Sequence, residues 1–337
     1  MSDERVYILA SMRVLAGEVG GTKTALAVYE RAADGSFATC AEAVYPHASH
    51  PSVSAQLQQF LEGTRIDAAA FGVARAGSLP WSLAEQPLAE LLGAPVELID
   101  QFHATALGVL ELPESDLHVL QPAPRDPHGP VAVIGAGTGL HEALCVRTEQ
   151  GPRAVVGEGG QSSFAPNTPL ELRLLQFLLR RYEHVSVERV VSGVGLRELY
   201  EFVVTEGLAP AHPDTLRRTE QDFAGTALIA QAGVDPAAEI ALTLCLGAFG
   251  AEAGDWALKT LPTGGMFVVG EIAARLIPRL SAGSFMQSFL AKGSLSTALA
   301  SIPVAVVERP DVGLLGARVR AALLCAAGRV NGRKGAA

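Results

Sequence analysis

Short apolar runs alternate with longer, periodically apolar ones along the whole chain. VLAGEV (14–19) and TALAVYER (24–31) read as paired strands, and FATCAEAVY (37–45) as a third. PSVSAQLQQFLEG (51–63) has helical spacing, a capping residue at its start and Gly63 near its end. AAAFGVA (68–74) reads as a buried strand, SLAEQPLAELLG (82–93) as a helix, PVELID (95–100) as a strand and Gln101–Leu112 as a helix. The Pro-rich stretch QPAPRDPHGP (121–130) is a connection, and a domain junction is placed near residue 110. The pattern then restarts. VAVIGAGTGL (131–140) is a strand entering a glycine turn, and TPLELRLLQFLLRRYE (168–183) a strongly amphipathic helix. Residues 235–261 form a long, mostly apolar helix with Asp235 as N-cap and Pro236 in its first turn, which reads as an interior helix. GGMFVVGEIAARLIPRL (264–280) is turn, strand, turn, helix; PVAVVERP (303–310) is a late strand, and VGLLGARVRAALLCAA (312–327) a final helix. Strands and helices alternating in two sets predict an α/β protein with a mixed sheet in each of two lobes.

Composition narrows this. The chain has 337 residues, too many for one typical core. Hydrophobic residues make up 49% and charged residues 18%, as in a globular protein. The net charge of −9 and the lack of a Lys/Arg block exclude nucleic acid as an expected partner. The apolar stretch Ile240–Ala251 is too short to span a bilayer, and VYILA near the N-terminus is too short for a signal sequence, so no membrane partner is expected. Cys40, Cys145, Cys245 and Cys325 are scattered, with no CxxC pair and no Cys/His cluster; this indicates neither zinc nor disulfides, and fits a reducing cytoplasm. Cys245 and Cys325 sit on apolar helices and read as core. Met12 is itself a candidate first residue, and the eleven residues before it have no evident role.

The glycines carry the chemistry. In GEVGGTKTALAVY (17–29), Gly17, Gly20 and Gly21 interrupt two apolar runs. Either they form a tight hairpin turn that needs positive φ, or their bare N–H groups hold an anion; on this stretch alone the hairpin is the better reading. In VAVIGAGTGLHEA the glycines are Gly135, Gly137 and Gly139, and Leu140 stands where a dinucleotide-binding turn needs its third glycine, so a dehydrogenase is a weak reading. A strand followed by Gly-x-Gly-Thr-Gly still offers N–H groups and the Thr138 hydroxyl to a phosphate. A third glycine pair stands at Gly264–Gly265.

GEVGGTKTALAVY, VAVIGAGTGL, GEGGQSSFAP (157–166), HVSVERVVSGVGLRELY (184–200), GGMFVVGEIA (264–273) and IPVAVVERPDVGLLGA (302–317) resemble, in order and spacing, the motifs of bacterial ATP-dependent glucokinases. The resemblance runs from about Met12 to Ala326. The Cys-rich zinc motif of the related repressor/ORF/kinase family is absent. The resemblance implies a two-lobed actin-like ATPase fold, RNase-H-like in each lobe. It divides the chain into a small lobe of residues 1–110, completed by the helix at 311–330, and a large lobe of residues 111–310. MgATP and a hexose would meet in the cleft between, and the γ-phosphoryl group would pass in line to the sugar 6-hydroxyl. The glycines of residues 17–22 would then let backbone approach the ATP phosphates.

Residue by residue, the resemblance assigns Gly20, Gly21, Thr22, Gly135, Gly137, Thr138, Gly139, Gly270 and Glu271 to ATP, and Glu18 to ATP and Mg²⁺. It assigns Asp100, Glu158, Gln161 and Glu188 to the sugar. The departures fall at these positions. Glu18 replaces an Asp. The family's Asn-Asp pair, whose Asp is the base, is Asp100–Gln101 here, and a Gln cannot take a proton at neutral pH. Asp100 is the expected substitute base. Gln161 replaces a sugar-contacting His. The usual Gly after GTGL is His141, which on its own reads as a helix-opening surface residue. Glu142 and Glu271 would oppose the ATP phosphates if they face them. The hairpin before the sugar-proximal Trp is shortened to GSLPW (77–81). Alone, Glu158 or Glu188 would be a solvated charge; in these motifs each is a hydroxyl acceptor. Three functions stay open: a glucokinase using Asp100 as base, a descendant that binds a sugar or a partner without phosphoryl transfer, and a kinase for another sugar. A homodimer is expected by analogy with the family.

Overall fold

A computed structural model describes residues 12–75, 79–219 and 225–334. The chain divides into two compact units: one ends at Leu112 and resumes at Asp311, and the other runs Pro113–Pro310.

The first unit opens with three antiparallel strands, β1 (Met12–Val19), β2 (Lys23–Arg31) and β3 (Phe37–Pro46). Helix α1 (Val53–Leu61), capped by the Ser52 hydroxyl on Ala55 N, leads to β4 (Ala68–Val73); α2 (Glu85–Leu92) leads to β5 (Val96–Asp100), and α3 (Gln101–Val109) follows at once. β4 and β5 are parallel to β1, giving the order β3-β2-β1-β4-β5. One sheet face packs Leu15, Leu26 and Phe71 against Leu57 of α1 and Leu88 of α2.

The second unit repeats that order. Strand β6 (Leu117–Gln121) precedes the antiparallel β7 (Val131–Ala136), β8 (Leu140–Thr148) and β9 (Gly151–Gly157). Helices α4 (Pro169–Leu178), α5 (Gly193–Thr205), α6 (Pro213–Thr219), α7 (Thr226–Gln231) and α8 (Pro236–Thr260) come next. Strand β10 (Gly265–Val269), helices α9 (Glu271–Arg275), α10 (Ile277–Ala282), α11 (Ser284–Leu290) and α12 (Ser296–Ala300), and β11 (Val304–Val307) complete it. The sheet order is β6-β11-β10-β7-β8-β9, with β10 parallel to β7 and β11. An antiparallel meander followed by two parallel strands is therefore built twice. The chain finally returns to the first unit as α13 (Val312–Lys334), which covers the other face of that sheet through Leu314, Ala317 and Ala321.

Helix α8 is the centre of the second core. Asp235 caps it, accepting from Ala237 N and Ala238 N, and Pro236 sits in its first turn. It is long and apolar enough to cross a membrane, but it is mostly buried inside its own unit, as an interior helix should be. His141 does not open a helix. Ala136 pairs with Leu140 and Gly135 with His141, so His141 belongs to β8, the return strand of a hairpin. The strand LHEALCV, buried on both faces in part, hides from a reading that sees polar residues after a glycine turn.

Candidate active site

In the first unit the β1–β2 turn is a hairpin closed by Gly20 N donating to Lys23 O at 3.0 Å. Neither Gly20 nor Gly21 has a positive φ. A Cβ at Gly20 would stand 3.5 Å from Lys23 O, an ordinary contact. The turn itself therefore does not demand glycine there: the hairpin forms without the positive φ expected of it. Gly17 has a different reason: a Cβ there would lie 2.2 Å from Cδ1 of Phe71 on the neighbouring β4.

Glu18 and Gln101 come together across 83 residues of sequence: Gln101 Nε2 donates to Glu18 Oε1 at 2.7 Å. Burial pushes the Glu18 carboxyl above its ordinary range, opposed by the Gln101 hydrogen bond and Lys23 and reinforced by Asp311. Asp100, the last residue of β5, is exposed and caps α3: its Oδ1 accepts from Phe102 N at 2.8 Å and His103 N at 3.1 Å. The two adjacent positions thus part company. Gln101 faces Glu18, and Asp100 holds the start of the helix. Trp81 meets His47 at a tilt, with ring centroids 4.4 Å apart, and His47 in turn meets the Thr24 hydroxyl at 3.1 Å; Gly77 and Ser78 of GSLPW lie outside the described residues.

In the second unit the β7–β8 turn consists of Gly137, Thr138 and Gly139, with Gly137 N donating to Gly139 O at 2.8 Å. Two distant elements abut it. Gly193 N, at the start of α5, donates to Gly137 O at 2.9 Å. Gly270, at φ +102, begins α9, and a Cβ there would stand 2.6 Å from Ala136 O. Gly135 lies within β7. The Glu271 side chain lies outside the described residues.

Beside this turn Glu188 and Gln161 form one network. Glu188 Oε2 accepts from Leu140 N at 2.9 Å, and its Oε1 accepts from Gln161 Nε2 at 2.9 Å. Its Oε2 would stand 2.6 Å from a Cβ on Gly139. His184 Nε2 meets Gln161 O at 2.9 Å. Glu158 is exposed and precedes the short 3-10 turn Gly159–Gln161, where Gln161 N donates to Glu158 O. Among the described residues no group of three or more His, Cys, Asp and Glu is arranged to hold a metal.

Glu142 is placed where the sequence does not suggest. His141 Nε2 would stand 3.5 Å from a Cβ on Gly139, so His141 shares that side of β8. Glu142 faces the opposite side, buried against Gly159 and Glu252 of α8. It does not oppose a ligand at the glycine turn. The signal that could have found the partner was Glu252 inside an apolar helix.

The family model described as Glucokinase matches residues 15–324. The chain belongs to the glucokinase family. Among glucokinases, that of Synechocystis sp. is 39% identical over 91% of this chain and 97% of the relative. A glucokinase from an Antarctic psychrotroph superposes with a TM-score of 0.79 at 27% identity, over 92% of this chain and 98% of that one. The Balamuthia mandrillaris glucokinase, solved in complex with glucose, shares the fold with a TM-score of 0.72 at 21% identity, over 94% and 95% of the two chains.

Proposed function

We propose that this glucokinase-family protein transfers the γ-phosphoryl group of ATP to the 6-hydroxyl of glucose. The observation that carries the reading is the network joining Glu188, Gln161 and the Leu140 amide beside a glycine hairpin. Carboxylates held by hydrogen bonds accept strongly from sugar hydroxyls. Glu158 and Glu188 take sugar hydroxyls as acceptors, and Gln161 contributes a carboxamide. The turns at Gly20–Thr22 and Gly137–Gly139, with Gly270 and Glu271, meet the nucleotide; the fold does not crowd the Gly20 backbone, which leaves it open to a phosphate.

Phosphoryl transfer needs positioning, charge neutralisation and a carboxylate to take the hydroxyl proton. As the sugar oxygen bonds to phosphorus, the bond to the ADP oxygen breaks and the hydroxyl proton goes to the carboxylate. Asp100 is the assigned base: its capping bonds fall on Oδ1. Glu18 is the carboxylate that Gln101 holds, and that hydrogen bond at 2.7 Å favours it as a second reading. A Mg²⁺ held mainly by phosphates and water needs only one or two protein carboxylates, which Glu18 fits, and the ion would neutralise charge on the transferring group. The cysteines are free, and a reducing cytoplasm is the assigned compartment. A homodimer is assigned on family analogy.

A coupled assay with ATP, Mg²⁺ and a panel of hexoses tests the reading, and glucose should give the highest kcat/KM. Calorimetric heat with glucose but no turnover would make the protein a sugar binder. No turnover and no heat with any hexose would refute the proposal.

A further inference from the structure

We propose that Glu142, buried against Glu252, is a positioning residue that seats the Gly159–Gln161 turn, so that glucose binding weakens when Glu142 becomes charged. The sugar part rests on the function proposed above; the seat itself does not.

The turn rests on β8 at two points. A Cβ on Gly160 would stand 2.2 Å from Leu140 O, and one on Gly159 would stand 1.9 Å from Glu142 Oε2. The first contact is backbone and fixed. The second is the end of a side chain whose charge can change. Glu142 is 3% exposed, paired in the ladder between Ile134 of β7 and Gly157 of β9. Glu252, 8% exposed, meets it from α8. Carboxylates buried side by side repel each other, so burial and the neighbouring charge favour the neutral form of Glu142. Oε1 of each has no hydrogen-bond partner.

The other charges around the pair do not replace the Glu142 proton. Lys259 Nζ stands 3.8 Å from Glu252 Oε1, beyond hydrogen-bond reach. Asp255 adds like charge and is engaged by Lys292. Glu171, which lines a recess with Glu252, Asp255, Phe164 and Val187, accepts instead from Asn167 N and Thr168 N. His141 faces the other side of β8. Burial, then the charge of Glu252, pushes the Glu142 carboxyl up to about 8. Glu142 therefore holds its proton at neutral pH and loses it just above. Two buried carboxylates then face each other, and the movable one lies directly under the turn.

The sign for stability follows. A carboxyl protonated in the folded chain but ionised in the unfolded one contributes most below its unfolded value of 4.5, and the contribution is lost as pH rises through about 8.

Two measurements on the full chain test the seat between pH 6.5 and 9.5. In the wild type, KM for glucose should rise about tenfold from pH 7 to pH 9, with kcat moving less, as expected for an ionisation near 8 that abolishes binding. Glu142→Gln keeps the shape and donates to Glu252 without ionising, so its KM should stay flat. Glu252→Gln, which reaches the pair from α8, should shift the step to lower pH. Independently, hydrogen exchange at Gln161 and Ser162, compared with Glu142→Gln at each pH, should show protection lost only in the wild type. A flat wild-type KM, or equal exchange in the wild type and Glu142→Gln at pH 9, overturns the proposal. An exchange step in a protein that neither binds nor phosphorylates glucose supports the seat and refutes the glucose reading alone.

Discussion

Asp100 caps α3, and its proposed role as base is a second job that one substitution separates. Asn caps a helix as well as Asp does, but it cannot take a proton. Asp100→Asn should therefore leave unfolding free energy within about 0.5 kcal/mol of wild type while lowering kcat by roughly 10²–10⁴-fold. Denaturant titration and the coupled assay measure the two effects. If Glu18→Gln removes turnover and Asp100→Asn does not, Glu18 is the base. Gly17 carries a second residue-scale prediction. Its missing Cβ accommodates the Phe71 ring, so Gly17→Ala should cost about 1–3 kcal/mol by overpacking, read from urea unfolding. Sequence alone singled out Gly17 and Gly20 but could not tell their reasons apart. Gly17 answers to a strand 54 residues away, whereas Gly20 answers to nothing inside the described residues of its unit. The Glu18–Gln101 contact was equally hidden, because its partners are joined only by the parallel pairing of β1, β4 and β5.

At the scale of elements, the strongest local signals came through. Asp235–Pro236 ahead of an apolar run announced α8, and the structure adds why the cap matters: Asp235 is buried and also accepts from the Tyr200 hydroxyl at 2.9 Å. Burial pulls its carboxyl upward, but hydrogen bonds from Tyr200 and two helix amides win and hold it below the ordinary value. Its contribution is thus complete above the unfolded value of 3.8 and is lost as pH falls through the lower folded one. Asp235→Ala should cost about 3 kcal/mol, a lost cap plus a charged hydrogen bond, checked by thermal unfolding at pH 7, and the penalty should shrink in acid. Among the strands, sequence missed β6, β8 and β9. In β8 the polar His141 and Glu142 mask the alternation, since Glu142 occupies an inward position that the pattern reserves for an apolar side chain.

The whole molecule is a strand order built twice, with one piece of the first unit held back to the end of the chain. Leu314, Ala317 and Ala321 of α13 cover Val14, Ala16 and Ala70 of the first sheet. Helices α3 and α13 meet so closely that a Cβ on Gly316 would stand 1.7 Å from Ala104 O. A chain ending at Pro310 should therefore lose cooperative unfolding and amide protection in residues 12–112 while residues 113–310 keep both. Hydrogen exchange resolved by segment distinguishes this from global collapse.

That late helix also sets a timetable for the nascent chain. The second unit is contiguous and has all its strands once Val307 has been made, whereas the first waits for Asp311 onward. At roughly 5–20 residues per second, the intervening stretch of about 200 residues takes on the order of 10–40 s to synthesise. Throughout that interval the leading sheet leaves the ribosome with one apolar face bare, a natural client for a holdase until the last helix arrives.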